Sequence, residues 1–454
     1  MPYSAKDILE MEVAPALGCT EPVAISLGAA AAASILPERV IDSIEVWVDP
    51  NIYKNGLAAV IPGTSELCGL ENAAALGALG GDPSLKLEVL EPIDDEIVAQ
   101  VREFVSPQTV KVHLLSDKKG LLIKTLISSR DNTAESIIQD MHDNISTLKL
   151  NGRELTDHPL VSRVDEKGKG SLSELEAWLK NLTLEELLAL VDDLDSEDLA
   201  FLEECVRCNM RLAEYGLKHG SGLGVGKALD RLARQGLIKK DMILGARILS
   251  SAAADARMAG VKLPAMASAG SGNHGLTAVL PIRAVMDYVE CDERSFLEAI
   301  GLSQIVTAYV KAYTGRLSAV CGCSIAAGAG AAAGITYLLG GTIHHIAGAI
   351  KNLTEDLAGV ICDGAKAGCA FKLATAAGTA VQASLFALQG ITVQATDGII
   401  GASFEQTTQN IGELSTQGMI ETDRTILRIM LQKRFSGVSP DLKGSSASCR
   451  RPGP

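Results

Sequence analysis

The alternation of apolar and polar positions changes rhythm twice along the chain. Up to about residue 145 the rhythm is mixed. Apolar residues recur at helical spacing in Ile8 to Ala14 and again in Pro22 to Leu36, whereas Ile44 to Val48 alternates as a strand with one buried face does. Lys111 to Leu115 and Leu121 to Ile127 also alternate, and the intervening SDKKG suggests that they pair as a hairpin. From Lys149 to Asp198 the chain turns charged and polar (KLNGRELTDHP, SRVDEKGKG, LVDDLDSEDLA), with one short amphipathic helix at Ser173 to Lys180. That stretch reads as a connector folded on the surface. From Ala200 onward nearly everything has helical period or is Ala/Gly-rich and apolar, broken by Gly loops.

The fold class expected is α+β. It comprises an N-terminal α/β-type domain over residues 1–195, with the charged connector at 149–195, and an all-α, Ala/Gly-rich domain over 196–435. The tail 436–454 has Pro, Gly and Ser without apolar period, and should be mobile. No repeat of fixed length runs through the chain.

Composition sharpens this picture. Hydrophobic residues make up 47% but aromatics only 4%, and there are 44 Gly, so the core is built from small and aliphatic side chains that let helices approach closely. The run from Leu317 to Gly341 carries no charge and is long enough to span a bilayer. Its Ala, Gly and Ser content and the lack of an aromatic belt favour a buried helix instead. A net charge of −14 with no dense basic stripe argues against nucleic acid. The opening MPYSAKDILEMEV has no apolar leader, which points to the cytoplasm, where the ten Cys would stay reduced.

Several clusters could carry chemistry. In GCTEP (18–22) Thr20 suits the N-cap of an apolar helix and Pro22 its first turn, so Cys19 would sit just outside the helix N-terminus; a helix N-terminus lowers a thiol's pKa and suits a nucleophile or base. The plainer alternative is a small buried Cys in a turn. Tyr53, Lys54 and Asn55 before Gly56 form a polar cluster at a strand end that could bind an amino acid's carboxylate, or an ordinary turn. In SAGSGNHG (268–275) successive Gly and Ser offer backbone N–H groups ahead of a helix, an anion-binding arrangement to which Asn273 and His274 add side chains.

HGSGLGVGK does not bind nucleotide by this reading. A phosphate loop would need Gly at 221 and Ser or Thr at 228, where Ser221 and Ala228 stand, and Gly222, Gly224 and Gly226 have the wrong spacing for a dinucleotide turn. Cys205 and Cys208 share a helix face without a second pair at zinc spacing, so a packing role is expected. The strongest cluster joins VCGCS with CDGAKAGC. Cys362 and Cys369 flank Gly364 and Gly368, and Cys321 and Cys323 lie one helical excursion earlier. Three thiolates beside an open position describe an iron–sulfur cluster with one iron free for substrate.

GCTEP, YKNG with IPGT, SGNHG, CGC and CDGAKAGC occur in order between about residue 5 and 435, and with them the chain resembles the L-cysteine desulfidase family, relatives of the iron–sulfur L-serine dehydratases. The resemblance implies a lyase without pyridoxal phosphate that uses a [4Fe-4S] cluster to cleave a β-substituted amino acid to an α-keto acid and ammonia. For L-cysteine the products are pyruvate, ammonia and sulfide. It implies Cys362, Cys369 and either Cys321 or Cys323 as cluster ligands, and Cys19 as base. Thr20, Glu21, Tyr53, Lys54, Asn55, Ser271, Gly272, Asn273 and His274 are the residues expected to hold the substrate. Tail Cys449 could reach back to the free iron, as a terminal cysteine does in some serine dehydratases.

β-Elimination needs help at both ends of the bond, a base at the α-proton and a Lewis acid at the leaving group, so a site where the two domains meet is expected. The rival within enzymes is L-serine dehydratase. Rivals of other classes are a zinc or redox-sensing thiol protein and a membrane channel. The partners expected are a small amino-acid substrate and, compatibly, further copies of the chain.

Overall fold

The computed structural model describes residues 2–64, 66–162, 171–316 and 318–436. Cys449 and the rest of the expected tail beyond Ser436 lie outside the described residues, as does 163–170 of the connector.

Helix α1 (Ala5–Glu12) opens from a capping box between Ser4 and Asp7, and β1 (Val13–Leu17) follows without a turn. Next come α2 (Thr20–Ser34), β2 (Ser43–Val48), α3 (Pro50–Gly56), α4 (Leu70–Gly80) and, after a 3-10 turn, α5 (Asp95–Phe104). Strands β3 (Val110–Leu114), β4 (Leu122–Ser129), β5 (Asn132–Gln139), β6 (Ile145–Leu150) and β7 (Arg153–Glu154) complete a six-stranded sheet of order β3-β2-β4-β5-β6-β7.

The hairpin expected across SDKKG is not formed. β3 and β4 flank β2 on opposite sides, β3 parallel and β4 antiparallel. Ile44, Val46 and Val48 of β2 are fully buried, so this strand is central and takes a neighbour on each edge. The helices α3, α4 and α5 supply the long crossover that a parallel pair requires. β4 instead forms a hairpin with β5 through Arg130, at φ 49°.

One face of the sheet is covered by α2, whose alanine run lets it lie close; Ser136 Oγ donates to Gly28 O at 2.7 Å. Helix α4 packs on α2 closely enough that a Cβ on Gly77 would fall 2.0 Å from Ser26 O. The pattern of small residues in the sequence is thus a pattern of contacts.

The rest of the chain is helical apart from one strand: α6 (Leu172–Leu179), α7 (Leu184–Asp192), α8 (Ser196–His219), α9 (Val225–Arg234), α10 (Met242–Met258), β8 (Pro264–Ser268), α11 (Gly272–Met286), α12 (Glu293–Thr314), α13 (Gly322–Leu338), α14 (Ile343–Leu357), α15 (Cys369–Leu388), α16 (Phe404–Glu413) and, after a π turn, α17 (Ile420–Ser436). The charge-free run becomes α13, walled in by α11, α12, α14 and α15, with every residue from Cys323 to Thr336 buried. Among the described residues α15 is the helix long and apolar enough to cross a membrane, and 61% of its apolar window is buried inside the protein.

The fold is α+β, with the sheet in the N-terminal part and helices after it. The first and last described helices, however, are exchanged between the two cores. Ala5, Ile8, Leu9 and Val13 pack in the helical core, where Leu175, Leu179, Leu187 and Leu190 of the connector helices join them. β1 pairs antiparallel with β8, from Val13 opposite Ser268 to Leu17 opposite Pro264. In the opposite direction, Leu427 of α17 packs in the sheet-side core and Leu431 against it. A boundary drawn through residue 195 is therefore crossed in both directions.

Candidate functional site

The exchange brings the GCTEP turn against the helical part. β1 delivers Gly18 at φ +72°, where an added Cβ would fall 2.1 Å from Pro62 Cγ of the IPGT loop. Glycine is required there for both its conformation and its size. Cys19, and not Thr20 as expected, is the N-cap of α2, and it makes no side-chain cap bond; its thiol donates to Glu21 Oε2 at 3.0 Å, and the Thr20 hydroxyl is spent on the same oxygen at 3.1 Å.

The lowered thiol pKa expected from the helix N-terminus is not found. Burial pushes Cys19 well above the ordinary thiol range, and the Glu21 carboxylate adds to the effect, while the nearby Arg257 guanidinium opposes it. Cys19 is 2% exposed, so desolvation of a thiolate outweighs the helix end. In the resting protein Cys19 is a neutral thiol beside a carboxylate.

Arg257 carried no motif and was not singled out in the sequence. It lies in the last turn of α10 in the Ala-rich stretch SSAAADARM, and the signal that could have marked it is a pair of charged residues, Asp255 and Arg257, set in an alanine run otherwise fit for burial. Its side chain is 2% exposed. Nη2 donates to Gly18 O, Nη1 donates to Asn273 Oδ1 at 2.9 Å, and Nε has no hydrogen-bond partner.

Asn273 and His274 lie in the first turn of α11, with Ser271 as its N-cap and Gly272 against the guanidinium. Between β8 and α11 the chain turns through two left-handed residues, Ala269 at φ 46° and Gly270 at φ 80°. For Ala269 that conformation costs on the order of 1 kcal/mol. His274 Nδ1 meets Ser268 O at 3.2 Å. Burial, followed by the charge of Lys311, pushes the imidazole well below its ordinary range, so His274 is neutral. A Cβ on Gly322 would fall 2.3 Å from His274 Nε2 and 3.3 Å from Lys311 Nζ. The glycine of CGC thus makes room for both. Lys311 is itself brought down to about 8 by burial and by Arg316.

Tyr53, Lys54 and Asn55 are not at a strand end. They form the body of α3, capped by Asp49 Oδ1, and all three are buried. Lys54, 1% exposed, ion-pairs with Asp423 of α17. Its carbonyl oxygen would lie 2.5 Å from a Cβ on Gly364, so α3 abuts the CDGAKAGC loop. A cavity of about 1130 Å³ opens between α3, the β3–β4 loop and α17. It reaches Lys54 and Ala319.

The two thiol segments are stitched together by backbone. Val320 and Ile361 form an antiparallel bridge, Cys321 N donates to Val360 O at 2.9 Å and Cys362 N to Ala319 O at 2.6 Å. Cys321 caps α13 and Cys369 opens α15. Cys321 and Cys323 are buried in one apolar cluster against which Cys362 and Cys369 pack. The hydrogen bond from Cys323 holds the Cys321 thiol below its ordinary range, whereas burial pushes Cys362 up and takes Cys369 up to about 11. Cys19 reaches this site as well, because it shares a small packed cluster with Ala59 and Met258 against which Ala365 and Cys369 lie.

Among the described residues no group of three or more His, Cys, Asp or Glu side chains is gathered tightly enough to hold a metal ion. The donor set at the stitch is nonetheless mainly thiol: the one carboxylate on these loops, Asp363, is taken by Lys366 and Lys372, and the soft sulfur left over suits iron–sulfur binding. A cluster several atoms wide is gripped at its corners, not at one point.

The remaining motifs have structural work. Cys205 and Cys208 are buried in α8, with Cys208 Sγ donating to Pro264 O at 3.2 Å. HGSGLGVGK wraps a carboxylate of its own chain: Gly224 N and Gly226 N donate to Asp255 at 3.1 and 3.0 Å. Burial raises that carboxyl to about 6.

Residues 86–428 match the family model described as serine dehydratase alpha chain. A UPF0597 protein of Desulfatibacillum aliphaticivorans is 64% identical over 96% of this chain and 100% of the relative. One from Desulfotalea psychrophila is 62% identical over the same shares, and one from Clostridioides difficile is 43% identical over 93% of this chain and 98% of the relative.

Proposed function

This chain belongs to the serine dehydratase alpha chain family, and on that premise we propose that it is a lyase eliminating the β-substituent of a small L-amino acid, with L-cysteine as substrate. The balanced reaction is L-cysteine plus water giving pyruvate, ammonia and hydrogen sulfide. The observation that carries the reading is that Cys369 packs against the small cluster that holds Cys19, although the two are far apart in the sequence. A base and a thiol-bound centre on either side of one small substrate are what the elimination requires.

Cys362, Cys369 and either Cys321 or Cys323 would hold a [4Fe-4S] cluster. When bound, the cluster supplies a Lewis-acidic iron to the leaving atom. The protein's own part begins at Glu21. Its Oε2 holds and orients the Cys19 thiol by a hydrogen bond, and the Arg257 charge favours the thiolate form in which Cys19 acts. That thiolate then removes the α-proton. Neutral His274 offers Nε2 beside Gly322, and Asn273, Tyr53 and Asn55 line the substrate's polar ends, keeping the Cα–H bond aligned with Cys19. The buried thiols and the oxygen sensitivity of such a centre suit the reducing cytoplasm.

A second reading, L-serine as substrate, is favoured by the description of the matching family. The two differ in the leaving atom, sulfur or oxygen, and pocket discrimination between them rests on small energies. The test is an anaerobic assay of the full chain for sulfide and pyruvate from L-cysteine beside pyruvate from L-serine. Keto acid from L-serine alone moves the assignment to the dehydratase, and keto acid from neither defeats the lyase reading.

A further inference from the structure

We infer that Arg257 is the residue that receives the substrate's α-carboxylate, a binding role that the motifs in the sequence had left to SGNHG and YKNG. The inference rests on the amino-acid lyase reading for the identity of the anion. The case begins with charge. Three cations are buried around the GCTEP turn, the α11 N-terminus and the thiol loops: Lys54, Lys311 and Arg257, all at most 4% exposed. Lys54 is already committed to Asp423. Lys311 donates to Arg316 O and is crowded against His274 and Gly322.

Arg257 differs from Lys54 in having no acid partner, and from Lys311, whose acceptor is also neutral, in offering a planar fork with a buried Nε that has no partner. Among the described residues its hydrogen-bond partners are neutral, the Gly18 carbonyl and the Asn273 side-chain oxygen, and no carboxylate ion-pairs with it. A guanidinium has five N–H donors in a rigid fork. Two bonds leave most of that fork unspent, and Nε is buried without a partner. A buried charge with unused donors loses hydration without recovering it, and folds keep such a group where an anion arrives to complete it.

The place is right for the reaction. Arg257 touches both loops that frame the site, and its charge is felt by Cys19 and by His274. A carboxylate gripped in fork geometry there would set the α-carbon of an amino acid toward Cys19, with the β-position free to point at Cys369 and its neighbours. Gly272 belongs to the same device. A Cβ on it would fall 2.4 Å from Nε, so any larger residue would displace the guanidinium.

The test uses the anaerobically purified full chain and the variants Arg257→Gln and Arg257→Lys. Loss of a charge-assisted bidentate contact predicts a KM for the amino acid raised roughly 100-fold in Arg257→Gln, with a smaller change in kcat. Lysine, which keeps the charge but not the fork, should fall between. A merely structural tie between Gly18 and Asn273 would not produce that split. Independently of turnover, L-alanine, which has the carboxylate but no leaving group, should raise the thermal unfolding midpoint of the wild type and not of Arg257→Gln, and ethylamine should raise neither. If the protein turns over neither cysteine nor serine, the lyase reading fails while the alanine shift still reports on Arg257. An unchanged KM in Arg257→Gln, an alanine shift that survives the substitution, or no alanine shift in the wild type overturns the inference. Should Arg257→Gln fail to fold, Arg257→Lys carries the same comparisons.

Discussion

Replacing Asp423 by Asn removes the ion pair that ties the last helix to the sheet side of the protein. Lys54 is 1% exposed and Asp423 23% exposed, and the two residues are 369 positions apart in the chain. Taking one partner from a buried pair costs about 3–5 kcal/mol, since the charge left behind is uncompensated. Asp423 retains a partial view of water, which screens the pair, so a loss of about 2–3 kcal/mol is expected. The substitution preserves side-chain volume, and the packing of Leu427 and Leu431 is not directly disturbed. Urea unfolding can be followed core by core, because the chain has two tryptophans, Trp47 on β2 and Trp178 on α6. In a Trp178→Phe background Trp47 reports on the sheet side, and there the shift should appear. In a Trp47→Phe background the Trp178 transition should move less. Replacing the pair together, Lys54→Met with Asp423→Leu, should recover most of the loss, because two apolar groups leave no stranded charge. An Asp423→Asn protein within about 0.5 kcal/mol of the parent would refute this account, as would a double variant no more stable than the single one.

Cys19→Ala should lower turnover about 1000-fold with iron content and visible absorption unchanged; retained turnover would place the base elsewhere. Gly18→Ala puts a methyl on Pro62 in a left-handed backbone and should cost about 2 kcal/mol or more, read as a lower urea midpoint together with lost activity. Asp255 has a folded-state pKa raised to about 6 by burial, so its contribution to stability is fully present below the unfolded value near 4 and is lost as pH rises through 6. The stability difference between Asp255→Asn and the parent should therefore shrink from pH 4 to pH 7, and a constant difference would show that Asp255 does not titrate there.

Local pattern was a good guide where local chemistry decides. Helix α2 begins within GCTEP, where Pro22 suits a first turn, and β2 alternates because Ile44, Val46 and Val48 face the sheet-side core. Two readings failed for one reason, that a neighbour remote in sequence took over. SDKKG does not make a hairpin because β2 intervenes, and Cys19 does not rest as a thiolate because β1 pairs with β8 and buries it beside Glu21. Arg257 was invisible because nothing in its own stretch gives it a partner.

The sequence by itself determined the α+β class, the thiol chemistry of CGC and CDGAKAGC, and the small-residue stripes that let helices close on one another, since these depend on residue type and period. Only the tertiary structure decided that the first and last described helices trade places between the two cores, that Lys54 answers to Asp423, and that a buried guanidinium stands unpaired beside Cys19. The physical reason is that burial and charge pairing are properties of the space around a side chain, and in this protein that space is filled from the far end of the chain.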